Sequence, residues 1–495
     1  MGKLKITDFF LYRNRYLASY GIIGLILIAL LFVSGTLVPG GLSELEVTAA
    51  TKSSNLSFSA ILGNQADAVV NLPYRLLQSA SLHVFGMSTV SIKFPSLVLA
   101  AASILLLYGA LELWFRRNVA IITSLITMTS SQFLLQSQSG TAGIVYMFWG
   151  ALLLFTASMV ASSKKFRPLW IFLTAATAGL SLYTPYMLYV IIPLIIAACI
   201  HPHARFIVFR QPLWVLLLSV IVFSATLLPL GNAAIHDPFV VLKAVAGEAL
   251  SSGRIDPLAN ISQLTQYLDF YNNKGGRILQ PAFGLGLLLL AVVGAAHLIS
   301  TKYTAKSYIM VVWILLTIPI LIINPDAAGV AILPISLLCA FAIDFLIARW
   351  YTMFPRNPYA RVAGLLPLGI LVLVLSLSSM DRFIYGYRYD PEAVKAYSTD
   401  LRLLQSEIDW RKDQTVRLVV TEQNKRFYQA FITRNKLSDH VTVSTEQTKD
   451  TTSAVVIISG AMYAASTDKV VPSKIIVSQT TNDANRFYVY ENSKS

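Results

Sequence analysis

The chain has 495 residues, 55% of them hydrophobic and 13% charged, with a mean hydropathy of +0.62 and a formal net charge of +14. A soluble protein carries about a quarter charged residues, so this balance excludes a soluble globule; many segments instead approach the ~20 apolar residues that cross a bilayer. The positive charge therefore reads as membrane topology and argues against a nucleic-acid partner, and two cysteines inside apolar runs, Cys199 and Cys339, imply neither a disulfide framework nor a thiolate metal site.

Lys3, Lys5, Arg13 and Arg15 precede the apolar run 20–38, and no small-x-small cleavage site follows it. A retained first helix with a cytoplasmic N-terminus is expected. Further apolar runs occupy 94–114, 119–135, 141–161, 168–183, 186–200, 212–230, 278–299, 308–323, 328–347 and 363–380, which gives about eleven transmembrane helices. The loops alternate in charge: Arg116 and Arg117, then Lys164, Lys165 and Arg167, then Arg205 and Arg210, then Lys302 and Lys306, then Arg349, Arg356 and Arg361 fall on one side. "QSQSG", "YTPY" and "NPDAAG", on the other side, carry no Lys or Arg. The positive-inside rule makes the basic side cytoplasmic and puts the C-terminus outside.

Two outer loops, 39–93 and 231–277, are long enough to be functional. Val69, Leu72, Leu76, Leu77 and Ala80 recur at helical spacing in the first, which suggests helices lying in the outer interface. From 381 to 495 the composition is that of a soluble domain: helical patterns in "PEAVKAYSTDLRLLQSEI" and "EQNKRFYQAFITR", strand patterns in "TVRLVV", "HVTVST", "SAVVIISG", "SKIIVSQ" and "NRFYVYEN". The fold class expected is thus a polytopic α-helical membrane domain, 1–380, with a small extracytoplasmic α/β domain, 381–495.

Within the spans, Glu112 and Asp344 occur only near the cytoplasmic ends, whereas Glu44, Glu46, Asp67, Asp237, Glu248, Asp256, Asp269 and Asp326 cluster outside. A proton-coupled carrier would more naturally place a carboxylate at mid-membrane, so the distribution favours chemistry at the outer surface. In "GGLSELEVTAAT", Ser43-x-x-Glu46 reads as a capping box opening a helix. Glu44 and Glu46 equally form an E-x-E pair suited to base chemistry, or to holding a divalent cation on a phosphate. Capping and chemistry are compatible, because one glutamate can cap while the other faces a pocket.

The chain resembles the GT-C superfamily of membrane glycosyltransferases, especially the protein O-mannosyltransferase and aminoarabinose-transferase type (glycosyltransferase family 39 and relatives). The resemblance rests on a first helix leading to the acidic "SELE", on "NLPYRLLQSASLHVFGMSTVSIKFPSLVLA" with its Pro turn, "FG" and basic residue before "PS", and on "FRRNVAIITSLITMTSSQFLLQSQSGTAGIVYMFW". It covers the first ~160 residues by motif and the rest as architecture. It implies transfer of a sugar from a polyprenyl-phosphate donor to a lipid, protein or glycan acceptor on the outer face of the cytoplasmic membrane. Glu44 or Glu46 would supply the base, and cations would stabilise the departing phosphate. Leu45 stands where the family's motif has Asp, and Asn71 occupies the region of a donor-binding Lys. Arg75 is the nearest cation, either a phosphate contact or an interfacial anchor. In the second loop, Lys274 and Arg277 flank the Gly-Gly turn of "NNKGGR", as an anion cradle or as ordinary juxtamembrane charges. No cofactor beyond the optional divalent cation is implied. A non-catalytic membrane scaffold or a lipid or sugar carrier on the same architecture stays open as the alternative.

Overall fold

The computed structural model describes residues 41–56, 69–247, 256–267, 283–301, 304–354, 358–389, 396–397, 399, 401–446, 454–465, 471–477 and 486–491, with 21, 24–25, 28–29 and 31–32 of the first apolar run. Lys274 and Arg277 lie outside the described residues, as does most of the first span.

Every apolar run from 94 onward contains a helix. After α1 (Glu44–Ser54) and α2 (Leu72–Phe85) come α3 (Thr89–Trp114), α4 (Arg117–Thr129), α5 (Ser131–Ser137), α6 (Val145–Ser162), α7 (Arg167–Ser181), α8 (Leu188–Ile200) and α9 (Pro202–Phe209). They continue with α10 (Leu213–His236), α11 (Phe239–Ala246), α12 (Pro257–Tyr267), α13 (Leu285–Ser300), α14 (Ala305–Ile323), α15 (Ile332–Met353) and α16 (Pro358–Tyr389). Among the described residues, six helical segments are long and apolar enough to cross a membrane, or up to eight if each bent pair counts as one span. The chain is a multi-pass membrane protein.

The bends have local causes. The α4/α5 pair turns by 66° at Ser130, whose hydroxyl bonds back to the Thr127 carbonyl. The α8/α9 pair turns by 90° where Pro202 forbids continuation of α8 and becomes the first residue of α9. α16 runs on to Tyr389, past residue 380 where the last apolar run ends, because "DRFIYGYRY" keeps helical geometry outside the apolar stretch.

The remaining elements form a mixed five-stranded sheet: α17 (Leu401–Trp410), β1 (Val416–Val419), α18 (Glu422–Arg434), β2 (Val441–Ser444), β3 (Val455–Ser459), α19 (Gly460–Ala465), β4 (Lys474–Ile476) and β5 (Phe487–Glu491). The order is β2-β1-β3-β5-β4; β1 is parallel to both neighbours, and β5 is antiparallel to β3 and β4. The expected helix from 391 is interrupted, since Thr399 pairs with Leu42 in an antiparallel bridge and α17 starts at Leu401. The short α19 was not expected.

This sheet domain does not have a core of its own. Leu418, Phe431, Ile457 and Val489 share one buried apolar cluster with Leu42, Val47 and Ala50 around α1, and with Leu82, Met87 and Ile92 at the α2–α3 junction. The membrane helices form a separate cluster that includes Leu107, Phe133, Trp313 and Leu333.

Candidate functional site

The capping box of α1 forms as its sequence indicates. The Glu46 amide donates to Ser43 Oγ at 3.3 Å, and Glu46 Oε2 accepts from the Ser43 amide at 2.7 Å. Yet Glu46 does more than cap. Its other oxygen, Oε1, accepts from the Gly140 amide at 2.5 Å and stands 3.7 Å from the Lys93 ammonium near the start of α3. Both charged side chains are sealed, Glu46 at 0% exposure and Lys93 at 1%. Lys93 also donates to the Gly41 carbonyl at 2.9 Å and sits 5.4 Å from the Tyr397 ring.

Gly140 is held from both sides: its carbonyl accepts from Gln78 Nε2 at 2.8 Å. Gln78 is fully buried on α2, donates also to the Ile92 carbonyl at 3.0 Å, and accepts from Ser53 on α1 at 2.7 Å. A Cβ at residue 140 would fall 2.7 Å from Ile92 and 3.4 Å from Glu46, so only glycine fits. One carboxylate, one ammonium and one amide thus fasten α1, α2, α3 and the loop before α6 into a single frame. Each buried polar group has partners, which such burial requires.

Glu44 faces the other way. Two residues along a helix turn the side chain by about 200°, and Glu44 is exposed at the head of α1, accepting from Gln423 Nε2 of α18 at 2.7 Å. The E-x-E pair therefore does not converge on one ion, because both Glu46 oxygens are occupied by amides and by Lys93. Only Glu44 of the pair presents its carboxylate to the surface.

Asn71 caps α2 in the left-handed region (φ 58°), with its amide donating to the Tyr183 carbonyl at 2.8 Å. Its side-chain Oδ1 is buried with no partner among the described residues. Arg75 lies one turn further along α2, beside Tyr74, whose hydroxyl is paired with Ser96 at 2.9 Å and whose pKa burial pushes up. From Asn71 to Gln78 is roughly 10 Å of helix. Asn71 and Arg75 are thus placed along the same helix that braces Glu46, leading away from it. Leu76, Leu77, Val84 and Phe85 are exposed, an apolar face of the kind an interfacial helix turns to lipid.

The sheet domain closes over this region. Asn435, after α18, accepts from the Met87 amide at 2.7 Å and donates to the Met87 carbonyl at 3.0 Å. Gly86 sits at φ +70°, and a Cβ there would fall 2.6 Å from Asn435 Oδ1. Arg434 donates to the Ser54 carbonyl at 2.5 Å and lies against the His83 ring. No group of three or more His, Cys, Asp or Glu that could hold a metal ion occurs among the described residues.

Residues 72–228 match the family described as dolichyl-phosphate-mannose-protein mannosyltransferase. The whole chain superposes on ArnT from Cupriavidus metallidurans, solved with undecaprenyl phosphate, with a TM-score of 0.57 and 13% identity over 97% of this chain and 99% of that one. It has the GT-C fold. A second GT-C structure, the archaeal oligosaccharyltransferase AglB from Archaeoglobus fulgidus in complex with an inhibitory peptide and a dolichol-phosphate, superposes with a TM-score of 0.51 and 12% identity, covering 92% of this chain and 70% of that one. At these identities the likeness is one of fold. No curated protein matches the chain by sequence.

Several residues that hold Glu44 and Glu46 were not legible in the sequence. Gln78, Gly140 and Gln423 look like ordinary polar or turn residues in sequence. Lys93 carried the one signal, as a lone cation at the apolar entrance to a span.

Proposed function

We propose that the chain is a glycosyltransferase that moves a sugar from a polyprenyl-phosphate donor to an acceptor hydroxyl on the outer face of the cytoplasmic membrane. The observation that carries this reading is the division of labour in the E-x-E pair on a GT-C fold: Glu46 is locked into the frame, while Glu44 stands at the surface, at the end of a rigid helix. Glu44 takes the proton of the acceptor hydroxyl as its oxygen bonds to the anomeric carbon. The bond from that carbon to the phosphate oxygen breaks, and polyprenyl phosphate leaves with the electron pair. Phosphate is already a good leaving group, so no strong general acid is needed, only positive charge around it. Arg75 is assigned to that task, together with Lys274 and Arg277 of the second loop, with Asn71 at the donor end of α2. The isoprenoid tail stays in lipid, and the exposed apolar face of α2 suits the level at which its phosphate emerges. The sheet domain, bonded to Glu44 through Gln423, covers the site and borders the path of the acceptor.

Transfer from a labelled polyprenyl-phosphate sugar tests this. Glu44→Gln is expected to lower turnover by about two to four orders of magnitude, the usual worth of a general base, without changing the unfolding temperature. Full activity in that variant would remove Glu44 from the mechanism. A wild-type chain that transfers from no donor would favour the non-catalytic scaffold or carrier.

A further inference from the structure

A second feature lies at the opposite end of the bundle. Between α3, α6, α7, α8, α9, α10 and α14 is a cavity of about 550 Å³, in the size range of small-molecule sites. Its walls are mostly apolar, built from larger side chains such as Leu153, Ile191 and Phe223 with alanines such as Ala157, Ala175 and Ala198. Among the described residues, Lys306 is the one charged residue lining it. The Lys306 ammonium donates to the Trp114 carbonyl and sits 5.0 Å from the Phe115 ring, and the Asp344 carboxylate attracts it.

Two observations identify the occupant's chemistry. The first is position. Lys93 marks one end of α3 and Trp114 the other, so this rim is roughly 30 Å, a hydrocarbon thickness, from the Glu46 frame. It lies on the side where Arg117, Lys165, Arg167 and Arg205 gather, which the positive-inside rule assigns to the cytoplasm. The second is α9, which leaves α8 at 90°. It exposes Phe206 and Phe209 at 57% and 62%, and it places Arg205 directly after the lining residue Ala204. A short helix with aromatic residues and flanking arginines at right angles to a span is built to lie in a headgroup layer.

We propose that this slot holds one acyl chain of an anionic glycerophospholipid from the cytoplasmic leaflet, its phosphate held at the rim by Lys306 and Arg205. The apolar walls suit a hydrocarbon chain, the basic rim complements a negative headgroup, and the headgroup layer in which α9 lies on this side is where glycerophospholipids present theirs. The site is separate from the transfer reaction and does not depend on it.

The test is native mass spectrometry of the full-length, delipidated protein in detergent, titrated with phosphatidylglycerol, phosphatidylcholine and polyprenyl phosphate in turn. One phosphatidylglycerol is expected to stay bound under activation that strips the rest. Lys306→Gln should weaken it about tenfold, the worth of one charge-assisted hydrogen bond, and erase its advantage over phosphatidylcholine. Lys306→Arg should keep that advantage. Ala198→Trp, which fills the slot and leaves the rim charged, should weaken both phospholipids. Unchanged gel filtration and unfolding temperature identify the variants that remain folded; Ala175→Phe substitutes for Ala198→Trp if that variant unfolds. Equal wild-type retention of the two phospholipids overturns the proposal, as does binding that the filling variants leave intact. Displacement of phosphatidylglycerol by polyprenyl phosphate would give the slot to the donor instead.

Discussion

Glu46 and Lys93 are a buried pair whose value lies in what each denies the other: an uncompensated charge in a dry site. Glu46→Gln keeps a carbonyl oxygen for only one of the two amides, which meet different Glu46 oxygens, turns an NH2 toward the other, and strands the Lys93 ammonium; it is expected to cost about 3–5 kcal/mol in denaturant unfolding. The double variant Glu46→Gln/Lys93→Met should recover much of that loss, because removing both charges removes the penalty. Glu44→Gln, at the surface, should stay within about 0.5 kcal/mol of wild type. A stable Glu46→Gln single variant would show that the pair is not sealed. Gly140→Ala should also destabilise, since its new methyl meets Ile92 at 2.7 Å. The capping box was readable because Ser43 and Glu46 act over three residues. The contacts that immobilise Glu46 were not, because Gly140 lies 94 residues away, and a backbone amide leaves no signature in sequence.

At the scale of elements, the sheet domain is fastened to the membrane-side loop by a few groups of known worth. Asn435→Ala removes both bonds to Met87 and is expected to cost about 1–3 kcal/mol, seen as faster hydrogen exchange at residues 86–92 and along α1. If exchange there is unchanged, Asn435 is not the clamp. A second tie joins α17 to the antiparallel half of the sheet: Glu407 receives Lys474 at 2.6 Å and Arg411 at 3.0 Å, and Arg411 reaches Glu491 at 2.5 Å. Burial alone raises the Glu407 pKa, but the bonds and charges of Lys474 and Arg411 outweigh it and hold the carboxyl below its usual range. A depressed folded-state pKa means stability that is present above the unfolded carboxylate value and is lost as pH falls through the folded one. The unfolding-temperature gap between wild type and Glu407→Gln should therefore be largest near neutrality and shrink in acid; a gap independent of pH would contradict the assignment. The strands themselves were legible from short apolar runs between turns. The Leu42–Thr399 bridge that breaks the helix expected from 391 was not, since it depends on a strand-like partner more than three hundred residues earlier.

At the scale of the whole molecule, the apolar cluster that spans α1 and the sheet predicts how the protein fails. Ending the chain after α16 would bare Leu42, Val47, Ala50, Leu82, Met87 and Ile92 together. Limited proteolysis should then cut within 41–56, and transfer should be lost although the membrane helices persist. An uncut, active truncation would show that the loop stands without its cover. Gln423 meets Glu44 across 379 residues of chain, and Asn435 meets Met87 across 348. During synthesis α1 is made long before these partners exist, and long-separated contacts are the last to form. The surface around Glu44 is therefore completed only when residues 401–491 have folded onto it, so a half-made copy carries an α1 whose apolar side is still bare.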